Sequence, residues 1–407
     1  MRIYQNRTLG SALLIGGTAV GAGMLALPLT TGLGGFFFSS ILFFISFAFM
    51  LTSLFYLLEV LLMTESSKAN LVSVCKEHLG IVGECVAWVS FLLLLYSVAA
   101  AYLSGGGSLI ANIVNALLHS SISSHSGIFI FLLIFGFLVV FETRAVDIIN
   151  RACMLGLIFS FIFLLIFVTP HIEIDRYKGG DPRYLWNAVP VVVLSFTSHI
   201  IIPSLKKYLH EDIGAIKKAF VWGSFIPLVF YLVWEFLIVG ILPLSGPYGL
   251  GSIGRASYPI SELTNALRTI LRTPWVTGAI GCFSFFALVT SFFGVALSLY
   301  DFLADGLHIK KTFKGRIVLL FLMFSPPTLF AIFSPKGFIA ALGYAGVFVA
   351  ILYIILPTLI VWRGRYIKKK KGPFCVIGGR GLLLVMFAGS LAIIFLQIAM
   401  THGWLFA

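Results

Sequence analysis

Charge is scarce in this sequence: Asp, Glu, Lys and Arg make up 11% of its 407 residues, where a soluble globular domain carries roughly 25%. The chain is 59% hydrophobic, and its few charges lie in short stretches between apolar runs. Runs such as 36–63 and 275–303 are apolar on every face and too long for a soluble core to bury, which excludes a soluble domain. The alternation of a membrane β-barrel is missing as well. Helices remain, because they satisfy their backbone hydrogen bonds within the spanning segment. Cysteine is sparse and unpatterned. Cys75, Cys85, Cys153, Cys282 and Cys375 include no Cys-x-x-Cys and no histidine at metal-ligand spacing, so they read as structural thiols. Also missing are Gly-x-x-x-x-Gly-Lys-[Ser/Thr], Gly-x-Ser-x-Gly and His-Glu-x-x-His. ATP-driven pumping and the commoner hydrolases are thereby disfavoured, and the expectation is no catalytic centre, no metal and no cofactor.

The net charge of +13 forms no basic face interleaved with aromatics, so it does not imply a nucleic-acid partner. It reports orientation instead. Apolar runs delimit eleven spans: 9–33, 36–63, 86–118, 127–141, 152–169, 185–205, 219–242, 275–303, 317–333, 337–362 and 381–400. With the N-terminus cytoplasmic, 21 of the 28 Lys and Arg fall in inside segments and 7 in outside ones. This positive-inside bias predicts N-in, C-out and an odd span count, and the run Lys368–Lys371 also suits anionic lipid. Arg2 and Arg7 ahead of an apolar run fit a secretory signal too, but Leu9 to Leu33 is longer than a signal core. The longest connection, 243–274, reads as a Gly/Pro/Ser-rich loop of the outer side. No obligate protein partner is implied, and the lipid bilayer is the expected environment.

Two spans are interrupted. Span 1 carries Gly16, Gly17, Gly21 and Gly23 ahead of Pro28, which predicts a helix unwound near its middle. Close helix packing through Gly17 and Gly21 is the other reading. In span 6, Ser195-Phe196-Thr197-Ser198-His199 likewise precede Pro203. Five spans separate the two starts, so the second helix enters from the opposite side. That is the arrangement of a five-plus-five inverted repeat with its site at the midplane. The expected fold class is an all-α polytopic membrane protein, a single transporter domain over 1–407. Repeat one covers 9–169, repeat two 185–362, and 381–400 is an extra helix. Unwound backbone exposes amides and carbonyls, and a half-helix N-terminus offers partial positive charge, so an amino acid zwitterion matches both. Candidate substrate contacts are therefore Gly21, Ala22, Gly23 and Met24 with Ser195, Phe196, Thr197, Ser198 and His199.

The same residues carry a resemblance. Gly17-Thr18-Ala19-Val20-Gly21-Ala22-Gly23-Met24-Leu25-Ala26-Leu27-Pro28, preceded by Asn6-Arg7-Thr8-Leu9-Gly10, is similar to the first span of bacterial hydroxy/aromatic amino acid permeases. Ser195-Phe196-x-x-His199 with Ile202-Pro203-Ser204 matches further, as does Thr290-Ser291-Phe292-Phe293-Gly294-Val295. The first span is most similar to the tyrosine-specific branch, and Asp301-Phe302-Leu303-Ala304-Asp305-Gly306 points to the aromatic rather than the serine/threonine branch. The resemblance implies a leucine-transporter-like core in the cytoplasmic (inner) membrane and import of tyrosine by proton symport. It also implies a sodium site at Ala287, Thr290 and Ser291, and it places Tyr96, Tyr102 and the run Ser104–Ser108 against the pocket. Sodium-coupled symport of an aromatic or small neutral amino acid is the alternative. A passive channel or facilitator is the second alternative, although no Thr-Val-Gly-Tyr-Gly filter occurs.

Ionisable residues in the spans are candidates for ion coupling, since a carboxylate at the bilayer centre costs roughly 3 kcal/mol on insertion scales. Glu235 is the most deeply placed; its other reading is a neutral carboxyl bonded to a neighbouring helix. Glu59, near the cytoplasmic end of span 2, either couples or snorkels to the interface. His199 lies in the second break and can relay a proton or bond a substrate hydroxyl. Asp301 and Asp305, at the cytoplasmic end of span 8, are either an inner gate or solvated helix-end carboxylates.

Overall fold

The computed structural model describes residues 2–21, 23–64, 71–334, 337–369 and 372–404. Ala22 of the substrate candidates, and Lys68, Lys336, Lys370 and Lys371 of the charge distribution, lie outside them. Among the described residues there are helices and no strands. Ten are long and apolar enough to cross a membrane, or eleven when the bent pair at the start is one span.

That pair is α1 (Arg2–Ala19) and α2 (Gly23–Thr31), set at 56° to each other. Three spans follow: α3 (Phe36–Met63), α4 (Leu71–Leu118) and the pair α5 (Ser124–Phe131) and α6 (Phe137–Phe141), joined by a widened helical turn. The fifth is α7 (Thr143–Val168). The sixth is broken into α8 (Leu185–Ser195) and α9 (Ile202–Tyr208), with a 3-10 turn at His199–Ile201 between them. Then come α10 (Ile213–Ile241), α11 (Leu250–Arg255), α12 (Pro259–Leu271), α13 (Pro274–Gly306) and α14 (Phe313–Phe333). The tenth span joins α15 (Gly337–Val349) to α16 (Leu356–Trp362) through a second widened turn, and α17 (Gly379–Thr401) closes the bundle. The two broken spans stand five apart, as the glycines, prolines and hydroxyl residues predict.

The core follows from close approach. Gly16 of α1 faces Ile226, and Gly223 of α10 faces Ile15, so α1 and α10 interlock at reciprocal glycines. Gly35, at φ 81°, meets the carbonyl of Gly179, and Asp181 N donates to Leu33 O at 2.9 Å, pinning the end of the first broken span to the start of the sixth. Two expectations are corrected. Residues 243–274 are not a plain loop but carry α11 and α12. The reason is periodicity: Ile260, Leu263, Leu267 and Leu271 share one face of α12 and are buried, and Pro259 opens that helix where a missing amide costs nothing. The Ser104–Ser108 run does not make room for substrate. Its glycines take the packing role instead: a Cβ at Gly107 would lie 2.7 Å from Ile128 N, and one at Gly106 2.5 Å from the Phe131 ring, both in α5.

Candidate functional site

A cavity of about 680 Å³ runs from the two breaks toward the end of the bundle that carries the N-terminus. Gly10, Leu13 and Gly17 of α1, Asn150 of α7 and Ser298 of α13 line that side. At its head stand Gly21 and Gly23 of the first break, Ser195 and Thr197 of the second, Tyr102 of α4, and Thr290 and Ser291 of α13. A Cβ at Gly21 would run into Ser291 Oγ, and one at Gly23 would lie 2.9 Å from Ser195 Oγ. Only glycine lets these elements meet. Tyr102 and Ser291 hydrogen-bond through their side chains.

One residue ties both breaks together. Tyr231 Oη, in α10, lies 2.8 Å from Ala19 O and 2.6 Å from Ser195 O, donating toward the last carbonyl of each first half-helix. Two helix C-termini therefore converge at the cavity head, where their partial negative charge suits an ammonium group. The N-terminus of α2 enters at Gly23, where a helix start offers partial positive charge that suits a carboxylate, although Met24 N already donates to Gly21 O at 3.0 Å. Further along, the Asn150 Oδ1 acceptor is buried at the wall without a hydrogen-bond partner among the described residues. Leu94, Val98, Met154 and Tyr353 provide the apolar surface.

The remaining predicted residues fall elsewhere. Met24, Phe196, Ser198 and His199 are buried behind the wall rather than lining it. His199 Nε2 is 3.0 Å from Ser53 Oγ, and the ring stacks on Tyr353, 4.8 Å between centroids. Ser53 in turn donates to Tyr353 O, so its one hydrogen is committed and the His199 Nε2–H is the donor to Ser53. His199 thus positions a wall tyrosine. Tyr96 is also off the wall, donating to Leu322 O at 2.7 Å. Ala287 is buried, and the Thr290 hydroxyl donates to Phe286 O at 2.8 Å on its own helix. Of the cation triad, Ser291 alone turns its hydroxyl to the break.

Glu59 does not snorkel. It is fully buried, and Arg365 grips its carboxylate with a two-pronged bond, Nε at 2.6 Å, while Val376 N donates at 2.9 Å. Asp301 pairs at 2.7 Å with Lys311 in the connection following its own helix, and Asp305 is exposed. The hydrogen bond to Asp301 raises the Lys311 pKa above its ordinary value. Neither carboxylate lines the cavity in this structure. Glu235 is fully buried and bonded to the neighbouring α2, with Thr31 Oγ1 2.7 Å from its Oε1. At the opposite end of the bundle a second cavity, of about 410 Å³, is lined by Leu33, Asp181, Tyr184, Leu244 and Arg255. There, hydrogen bonds from Arg183 hold the Asp181 carboxyl below the usual carboxylate range.

Tyr231, Asn150, Ser53, Tyr353 and Thr31 escape sequence reasoning. Each is a common residue in an apolar helix, and the sole available signal was Tyr231 lying one turn before Glu235.

The chain was compared with known proteins. Residues 4–397 match the model of the tryptophan/tyrosine permease family. The Tyrosine-specific transport system 2 of Haemophilus influenzae is 33% identical over 405 residues, covering 99% of each chain. The Tryptophan-specific transport protein of the same organism is 32% identical over 410 residues, 97% of this chain and 96% of that protein. Among solved structures, a mutant of the Eremococcus coleocola manganese transporter superposes with a TM-score of 0.58 at 13% identity, covering 97% of this chain and 87% of that one. That likeness is one of fold.

Proposed function

The chain belongs to the tryptophan/tyrosine permease family, and from that premise we propose that it imports tyrosine across the cytoplasmic membrane by alternating access, driven by the proton gradient. It is a multi-pass transporter of aromatic amino acids, not an enzyme. The proposal includes N-in, C-out orientation and the two repeats at 9–169 and 185–362.

The observation that carries the reading is the cavity head, where two half-helix C-termini meet at Tyr231 beside the N-terminus of α2. This supplies poles for an ammonium and a carboxylate in a cavity that also has an apolar wall. The cavity lies within the roughly 300–1,000 Å³ of small-molecule sites. Asn150 lines the cavity and its Oδ1 is buried without a hydrogen-bond partner among the described residues, which supports a substrate that brings a donor, as a phenol hydroxyl does, once a turn of the amide exposes that oxygen. An indole N–H is a donor too, so tryptophan is the second reading, supported by the tryptophan-specific relative.

Labelled-tyrosine uptake into proteoliposomes, under proton and sodium gradients imposed separately, tests the proposal. Accumulation with a proton gradient alone is expected. Uptake that stops at equilibrium under both gradients sinks symport in favour of a facilitator. In competition, phenylalanine, which lacks the donor, is expected to be rejected by as much as about 10⁴-fold, against a far smaller factor for a merely apolar pocket. Serine is expected to compete more weakly than tyrosine.

A further inference from the structure

Three hydrogen-bonding oxygens meet where α2 ends, and their hydrogens can be counted. Thr31 Oγ1 is 2.6 Å from Leu27 O, one turn back, and 2.7 Å from Glu235 Oε1 of α10. A carbonyl cannot donate, so the Leu27 contact takes the hydroxyl hydrogen of Thr31. Ser39, close enough to offer the carboxyl a second hydroxyl, donates instead to Thr31 O at 2.9 Å. The short contact between Thr31 and Glu235 then needs a hydrogen of its own, and the carboxyl is the group that can bring it. Sharing the Thr31 hydrogen between both acceptors does not rescue an ionised Glu235. Its other oxygen, Oε2, is buried with no hydrogen-bond partner among the described residues, and a charged oxygen is far costlier to leave bare than a neutral one. No cation makes up the difference: the ion pairs among the described residues do not include Glu235.

We propose that Glu235 and Thr31 form the site that binds the coupling proton, and that Thr31 converts its arrival and loss into a change at the end of α2. With the proton in place, Glu235 donates to Thr31 and Thr31 donates to Leu27, which closes the last turn of α2. When the proton leaves to water, Glu235 is a carboxylate and the one hydroxyl hydrogen of Thr31 turns to it. Leu27 O then loses the shorter of its two hydroxyl donors and keeps only Thr30 Oγ1 at 3.0 Å, so the last turn is loosened. Thr31 lies two residues from Leu33, which lines the cavity at the end away from the N-terminus. Protons therefore load from that end, the outside in the N-in orientation. The titratable or charged groups on α10 and the elements packed round it are Tyr231 one turn earlier, Lys217 and Lys218 near the start of α10, Arg2, Tyr4 and Arg7 of α1, Tyr56 and Glu59 of α3, His171, and Asp175, Arg176, Tyr177 and Lys178 beyond α7. Tyr177 donates to Phe236 O at 2.9 Å, Arg176 is paired with Glu173 and Lys178 with Asp175. His199 donates from Nε2 to Ser53, and its Nδ1 is buried with no hydrogen-bond partner among the described residues.

This rests on the reading of the chain as a proton-coupled importer, so the test separates the two. Reconstituted wild type is first assayed for exchange of labelled for unlabelled tyrosine with no gradient, and then for accumulation under a proton gradient. Glu235→Gln is expected to keep exchange within about twofold and to lose at least ten-fold in proton-driven accumulation, with no tyrosine-dependent alkalinisation outside the liposomes. Thr31→Val, which keeps the shape and removes the relay, is expected to lower accumulation at least three-fold with exchange retained; it serves as the second variant if Glu235→Gln does not fold. Unchanged proton-driven accumulation in either variant overturns the site. Absence of exchange for both tyrosine and tryptophan in the wild type overturns the substrate reading instead. Wild-type accumulation under sodium alone overturns proton coupling.

Discussion

Tyr231 presents one hydroxyl hydrogen to two carbonyls, and that shared bond is what holds Ala19 and Ser195 at a common point. Tyr231→Phe leaves both buried acceptors without it, a cost of about 1–3 kcal/mol. The expected result is a lower melting temperature in detergent together with uptake reduced about 10- to 100-fold, the rate equivalent of that energy if it is felt at the transition state. A loss of stability with uptake unchanged refutes the bridging role. Gly21 is a second case. Its missing Cβ is what admits Ser291, so Gly21→Ala is expected to abolish uptake, and Ser291→Ala in the same chain to restore part of it. These residue-scale effects were half legible beforehand. The glycines announced a break by their rarity inside a helix, whereas a tyrosine in span 7 announces nothing until the fold shows which way it points.

At the scale of elements, the end of α3 is held from two sides. Lys206 of α9 donates to Leu61 O at 3.0 Å, and Arg365 and Val376 close on Glu59. Glu59 is therefore a clasp between α3 and the segment leading to α17. Removing one partner of a buried pair strands the other charge, so Glu59→Gln is expected to destabilise by about 3–5 kcal/mol, read by thermal unfolding in detergent. Replacing Glu59 with Leu and Arg365 with Met together is expected to recover most of it, as apolar substitutes need no counter-charge. The Asp301–Lys311 pair is the opposite case, being local and solvated. Asp301→Asn is expected to change stability by less than about 1 kcal/mol and to leave uptake unaltered; a large loss of uptake would reinstate a gate there. Neither outcome was readable from the sequence. Glu59 and Asp301 both look like carboxylates near a helix end, and only the partner that the fold brings, 306 residues away for Glu59 and ten for Asp301, tells them apart. The α12 helix shows the same limit in reverse, because Gly, Pro and Ser around it hid an apolar face with a clear helical period.

For the whole molecule, span number, helical class and the positions of the two breaks came from composition and punctuation, since lipid admits few ways to satisfy a backbone. A membrane helix must be apolar for about 20 residues, and a break in one must be marked by residues that tolerate it, so both leave traces in one dimension. The positive-inside bias belongs to this level too. A reporter fused at either terminus is expected to find the N-terminus cytoplasmic and the C-terminus outside, and the reverse pattern would overturn both the orientation and the side from which Glu235 loads. What tertiary structure alone decided is which groups face one another: His199 turned away from the cavity, Glu59 clasped by Arg365, Glu235 seated on Thr31, and Tyr231 placed between two helix ends. In lipid the outer surface is set by hydrophobicity, which the residues carry individually. The inner contacts depend on rotation and close packing of helices against one another, and that is a property of pairs distant in the chain.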